Sequence, residues 1–156
     1  MPIMMKYEGI TGESLLNGRE GYLEVESLAW AASRSMTAVK AGARGDADCK
    51  VEELIVTRKM DSSSAALLKE ALIGRFDRKV EIQLLRTGTS KMRAYAIYEL
   101  ENCGISQHAT ESSGEIPMER LHLNFTKVLF KSFKVDDDIN AVPDTAYYDL
   151  VQGTGG

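Results

Sequence analysis

Only one run in the chain, Ala65–Leu72, has the composition of a helix. Ala, Leu, Lys and Glu fill it, and Ser64 ahead of it supplies an N-cap whose hydroxyl accepts a free backbone N–H. At about 100° per residue, Leu67, Leu68, Ala71 and Leu72 fall on one face, with Lys69 and Glu70 off it. Gly74 provides the C′ position. A helix of roughly ten residues is marginal alone in water. The sequence therefore predicts a lid seated on a sheet through three leucines, and it predicts that Asp at position 68 detaches that lid.

The segments around this helix read as strands. Leu54–Arg58 is β-branched and ends at the turn chemistry of Met60–Ser64, while Val80–Leu84 alternates apolar with polar. Ile3 to Ile10 is a first strand, followed by the turn dipeptide Asn17-Gly18. In Tyr22–Ser33, Leu23 and Val25 share one phase and Leu28 and Trp30 the other, which predicts a bulge near Glu26 or Ser27. Later strands cover Met92–Ile97, Tyr98–Ser106 and Leu121–Thr126, the last continuing through Val128–Phe133. A final edge strand falls at Tyr147–Val151. Tyr98, Leu100, Cys103 and Ile105 point inward, and Gly104 marks a second bulge. Asp136, Asp137 and Asp138 read as a solvated acidic turn. The expected fold is mainly β: a barrel or sandwich of two sheets, seven or so strands, one flanking helix, a single domain over residues 1–156. Residues 152–156, rich in glycine, are expected to fray.

Ser33–Lys50 has no clear period. Loops beyond about 12–15 residues are uncommon in compact domains unless they bind something. Composition alone leaves a surface insertion and a contact loop both open.

A net charge of −4, with no basic tract, argues against a phosphate backbone as partner. No apolar run approaches the roughly 20 residues that span a bilayer, so membrane insertion is not expected. The N-terminus lacks a signal-peptide pattern, so a cytoplasmic chain is expected, with any export needing no cleaved signal. Cys49 and Cys103 are far apart and in no metal spacing, and are read as free thiols. His108 and His122 lack partner spacing, and no nucleophile elbow, phosphate loop or dinucleotide pattern occurs. No enzyme, metal or cofactor is expected. Trp30 and Tyr98 fit core packing better than a ligand pocket.

Four segments carry a resemblance: Met5–Gly12, Ile55–Asp61 followed by a Ser-led helix, Leu100–Ser106 and Leu121–Lys127. In this order they are similar to the Hcp family, the haemolysin-coregulated tube proteins of bacterial type VI secretion. Ala65 stands where many members carry proline, without loss to the helix. The resemblance implies a fold like phage tail-tube proteins and a homohexameric ring stacking into a tube within a contractile sheath. It also implies a spike at the tip, effector proteins held in the channel, and release from the cytoplasm to the outside. No C-terminal toxin domain of the kind some members carry is expected, and the chain is read as a plain structural subunit.

On this resemblance the Ser33–Lys50 segment corresponds to the family's extended loop, so Arg34, Ser35, Met36, Lys40, Arg44, Asp46 and Asp48 are the expected ring-stacking residues. Ala29, Ala31 and Ser33, opposite Leu28 and Trp30, are expected to border the channel or a subunit contact. A phage tail-tube subunit and a monomeric β-barrel holding a small apolar ligand are the readings that compete with this one.

Overall fold

The computed structural model describes residues 1–34, 49–87, 92–134 and 142–156. Its strands are β1 (Ile3–Tyr7), β2 (Leu23–Val25), β3 (Ser27–Ala29), β4 (Ala32–Arg34), β5 (Cys49–Val51) and β6 (Leu54–Lys59). After the helix α1 (Ser64–Ile73) come β7 (Arg78–Arg86), β8 (Arg93–Glu111), β9 (Met118–Asn124), β10 (Lys127–Ser132), β11 (Asp144–Asp149) and β12 (Thr154–Gly155). Two antiparallel sheets share β8. One runs β12-β11-β10-β8-β7-β1-β2, the other β3-β6-β9-β8, and β4 pairs β5 in a separate ribbon. Among the described residues the sheets do not close into a barrel. The alternative of barrel or sandwich thus resolves to two sheets joined along one long strand.

β8 serves both sheets because it changes phase midway. Its first half pairs β7 and β10, and Gly104–Glu111 pairs β9. Opposite β7, the partner of Val80 is Leu100 but that of Arg78 is Cys103, so β8 carries one residue too many. Asn102 absorbs it at φ 49°, a left-handed conformation that Asn tolerates. The extra residue lets Leu100, Cys103 and Ile105 all reach the core despite their odd spacing. Irregularities thus flank the predicted position, one at Asn102 opposite β7 and a second between Ile105 and Gln107 opposite β9. Gly104 instead makes room for a neighbour, since a Cβ there would lie 2.6 Å from the Phe76 ring.

The phase change predicted near Glu26 is a passage between sheets. β2 pairs β1 in the first sheet and β3 pairs β6 in the second, while the Glu26 N–H donates to the Thr57 carbonyl at 2.8 Å. Leu23 and Val25 are buried, and Leu28 and Trp30 pack against the core from the second phase. Phe125 and Thr126 make a second passage, where the sequence pattern suggests a continuous strand; β9 lies in the second sheet and β10 in the first. The buried Phe125 and a bond from the Thr126 N–H to the Glu101 carbonyl fix the corner.

The helix departs from its predicted seating. Ser63 occupies the N-cap position without a side-chain cap bond, and Ser64 is the first helical residue. Only Ser64 and Leu67 are buried, whereas Leu68 is 41% exposed and Leu72 72%. The helix packs on β8, and its buried side is a narrow stripe of Ser64, Leu67 and the half-buried Ala71, so one leucine rather than three anchors it. Glu70 strengthens the seat, accepting from the Tyr7 hydroxyl and from Arg78. Gly74 is extended rather than left-handed, and its lack of a side chain leaves room beside the Glu70 carbonyl.

At the other end of the chain, the expected fraying of 152–156 gives way to a hairpin. The Asp149 carboxylate accepts from the N–H groups of Val151 and Gln152, turning the chain so that Gly156 and Tyr147 exchange backbone bonds of 2.7 and 3.0 Å. Cys49 and Cys103 are both free thiols. No helix among the described residues is long and apolar enough to cross a membrane.

Candidate assembly surface

The expected contact residues fall on one extended run that leaves the second sheet. Ala29 ends β3, and Ala31 links it to β4, where Ser33 stands opposite Lys50 and Arg34 opposite Cys49. Ala29, Ala31, Ser33 and Arg34 are exposed, and Leu28 and Trp30 turn toward the core, as the alternation predicts. The ends of the expected loop are thus a β-ribbon: residues 32–34 and 49–51 are strand. Ser35, Met36, Lys40, Arg44, Asp46, Asp48 and the acidic run Asp136–Asp138 lie outside the described residues.

The ribbon is anchored where it leaves the body. The Trp30 indole N–H donates to the Glu52 carbonyl at 2.9 Å, the Glu52 N–H donates to the Ala31 carbonyl at 3.0 Å, and Lys50 pairs with Glu52 at 3.1 Å. Beyond that anchor the ribbon packs on no third strand among the described residues. A two-stranded hairpin alone is marginal in water, so its exposed edges are surfaces suited to another chain.

Periodicity did not single out a second cluster. β6 and β9 face each other in a ladder of inward pairs: Leu54 with Leu123, Val56 with Leu121, then Arg58 with Glu119. The third rung is an ion pair at a core position, with both side chains essentially inaccessible. Around it, Glu119 also accepts from the Ser64 hydroxyl at 3.1 Å and meets His108 Nε2 at 2.9 Å, while Arg58 reaches Asp61 at 2.6 Å. Burial pushes the Asp61 carboxyl up, but the Ser63 hydroxyl and N–H and the Arg58 guanidinium together hold it below its ordinary value. The signal was present in the strand alternation, since Arg58 continues the Leu54, Val56 phase and Glu119 opens the Leu121, Leu123 phase.

This cluster has the residue types of hydrolytic chemistry without its geometry. Ser64 and His108 both address the same Glu119 carboxylate, so the imidazole does not bond the hydroxyl it would have to activate. Its work is structural, joining the start of α1 to β6, β9 and β8 of the second sheet. Among the described residues, no group of three or more His, Cys, Asp and Glu side chains is placed to hold a metal ion. Trp30 and Tyr98 pack against the core, as expected, and also border a slot of about 230 Å³ shared with Phe130, Ala146 and Tyr148.

No curated protein matches the sequence significantly. Solved structures do match its fold. One titled as a type six secretion system protein is 20% identical, with TM-score 0.86 and 99% of both chains covered. Hcp1 from Salmonella typhimurium is 20% identical, with TM-score 0.75, covering 99% of this chain and 97% of its own. A type VI secretion system effector from Yersinia pestis is also 20% identical, with TM-score 0.73 over 94% and 98% of the two chains. The family model described as "Type VI secretion system effector, Hcp" matches residues 4–131, from β1 through β10. With that match across both sheets and the helix, the chain belongs to the Hcp family, structural tube proteins of type VI secretion and not enzymes.

Proposed function

We propose that this tube protein is the inner-tube subunit, working as a homohexameric ring that stacks on further rings. The observation that carries the reading is the family match over residues 4–131. The ribbon of β4 and β5 supports it, because a projecting hairpin with open edges suits contact with another copy. On this reading Arg34, Ser35, Met36, Lys40, Arg44, Asp46 and Asp48 meet the next ring. Ala29, Ala31 and Ser33 border the channel or a neighbouring subunit. Sheath, spike and effector proteins are the other partners, effectors riding in the channel, and the subunit passes from the cytoplasm to the outside when the tube is fired.

Light scattering coupled to size exclusion tests the core of this. A ring gives a mass near six times 17.2 kDa, and negative-stain images then show closed rings. A particle of 17.2 kDa at high concentration overturns the reading. That result would favour the monomeric module, although among the described residues the two sheets enclose no barrel interior for a ligand.

A further inference from the structure

The helix is held unevenly along its length. At its start Ser64 is buried and its hydroxyl donates to Glu119 at 3.1 Å, while Asp61 accepts from the Ser63 N–H at 2.8 Å and from Arg58. At its far end Leu72 and Ile73 are 72% and 73% exposed, and Gly74 leaves in an extended conformation. Leu67 is the one fully buried side chain that α1 gives to the core cluster. Nothing within the helix compensates. Its N-cap makes no side-chain bond, its first turn holds no acidic residue and its last turn no basic one. A ten-residue helix with such ends depends on what it covers.

Beyond Leu67 the ties are few. Glu70 accepts from the Tyr7 hydroxyl at a long 3.4 Å and from Arg78 at 3.1 Å, and Arg78 Nε is buried with no hydrogen bond among the described residues. Phe76, exposed over about half its surface, places its ring beside Gly104. The strand under α1 is β8, and Cys103 is fully buried there, next to Gly104 and in one cluster with Tyr7 and Leu67. The sheets do not need the helix for their own bonds. β6 pairs β9, β9 pairs β8 and β8 pairs β7 through their backbones. A region with few buried apolar contacts opens more readily than the core around it.

We propose that α1 is a hinged lid: its turns beyond Ser64, together with residues 74–77, swing off β8 as a unit while both sheets stay paired. The hinge is the buried start of the helix, where Glu119 holds Ser64. The latch is Leu67 with Glu70, the two side chains that tie the middle of α1 to the body. Leu72 and Ile73 do not resist the swing, because they stand in water when the lid is shut as well as when it is open. An open lid bares Cys103, Tyr7 and the apolar rim around them on a body that is otherwise intact. Every residue in this device belongs to one copy, so it does not depend on the ring.

Cys103 is the probe, in the whole chain as purified. In a Cys49→Ser background it is the sole thiol. With the lid shut, burial pushes it up to about 12, which leaves almost no thiolate to react. Its labelling by a disulfide reagent is followed in urea below the unfolding midpoint. The only tryptophan, Trp30, reports the body by fluorescence, since its ring rests on Tyr98 and its N–H on the Glu52 carbonyl. A lid gives a labelling rate that rises shallowly with urea and joins the steep line of global unfolding only near the midpoint, because opening α1 exposes little surface. Leu85→Ala, buried at the end of β7 far from Arg78, is expected to lower the Trp30 midpoint and leave the labelling rate without urea unchanged. Leu67→Ala is expected to raise that rate roughly 30-fold or more. One steep line in the Cys49→Ser protein, or Leu85→Ala speeding labelling as much as it promotes unfolding, overturns the lid. Should Leu85→Ala fail to fold, the urea slope decides alone.

Discussion

At the scale of single residues, the Arg58–Glu119 rung has the largest consequence. Removing one partner of a buried ion pair leaves an uncompensated charge and costs about 3–5 kcal/mol. Glu119→Gln should therefore lower the melting temperature markedly, while Lys50→Gln, which breaks the exposed pair with Glu52, should leave it nearly unchanged. Equal effects in a thermal scan would mean that the cluster does not lock the helix to the sheet. Asp61 adds a pH dependence of known sign. Its folded pKa is depressed, so its bonds to Ser63 and Arg58 stabilise the chain above the unfolded value near 3.9 and are lost as pH falls through the lower folded value. Urea titrations should show Asp61→Asn weaker than wild type at pH 7, with the gap shrinking in acid below the unfolded value; a gap that widened in acid would reverse the assignment. The sequence was half-legible here. Arg58 and Glu119 occupy apolar phases of their strands, but they lie 61 positions apart, and only the pairing of β6 with β9 shows that they meet.

At the scale of elements, patterns that depend on local period were readable and those that depend on docking were not. The phase break between Val25 and Leu28 gave the passage at Glu26, because alternation must invert when a strand changes sheets. The apolar face of the helix was also real as a pattern, but Leu67, Leu68, Ala71 and Leu72 do not share one fate. Which part of a stripe is buried depends on how squarely the helix lies on β8, and the angle is not written in its period. The prediction that Asp at position 68 detaches the helix is therefore replaced. Leu67→Ala should cost about 2–5 kcal/mol, and Leu68→Asp, at a 41% exposed site, less than about 1 kcal/mol. Two denaturation curves decide between the old expectation and the new one. Gly104 and Phe76 form a second pair to test, since a methyl at 104 intrudes on the ring. Gly104→Ala should destabilise the wild type and cost little in a Phe76→Ala background, a coupling that a double-mutant cycle measures directly. Additive effects would show that Gly104 is needed for some other reason.

At the scale of the whole molecule, two kinds of contact must be separable if rings form and then stack. The ribbon leaves the body through Ala31 and Glu52 at the end of the second sheet. Arg34 is exposed at the far end of the described part of β4, opposite Cys49, and has no role in the core. Reversing its charge therefore leaves folding and ring closure alone and acts on whatever the ribbon touches. Arg34→Glu is expected to melt like wild type and to run at ring mass, yet to disappear from the medium of cells that depend on this subunit for secretion. A charge reversal at a contact repeated by every subunit of every ring disfavours each stacking step, so a penalty that is small per copy is multiplied along the tube. Undiminished release of Arg34→Glu into the medium would mean that the ribbon does not carry the stacking contact. Loss of the ring itself would place Arg34 in the contact within a ring.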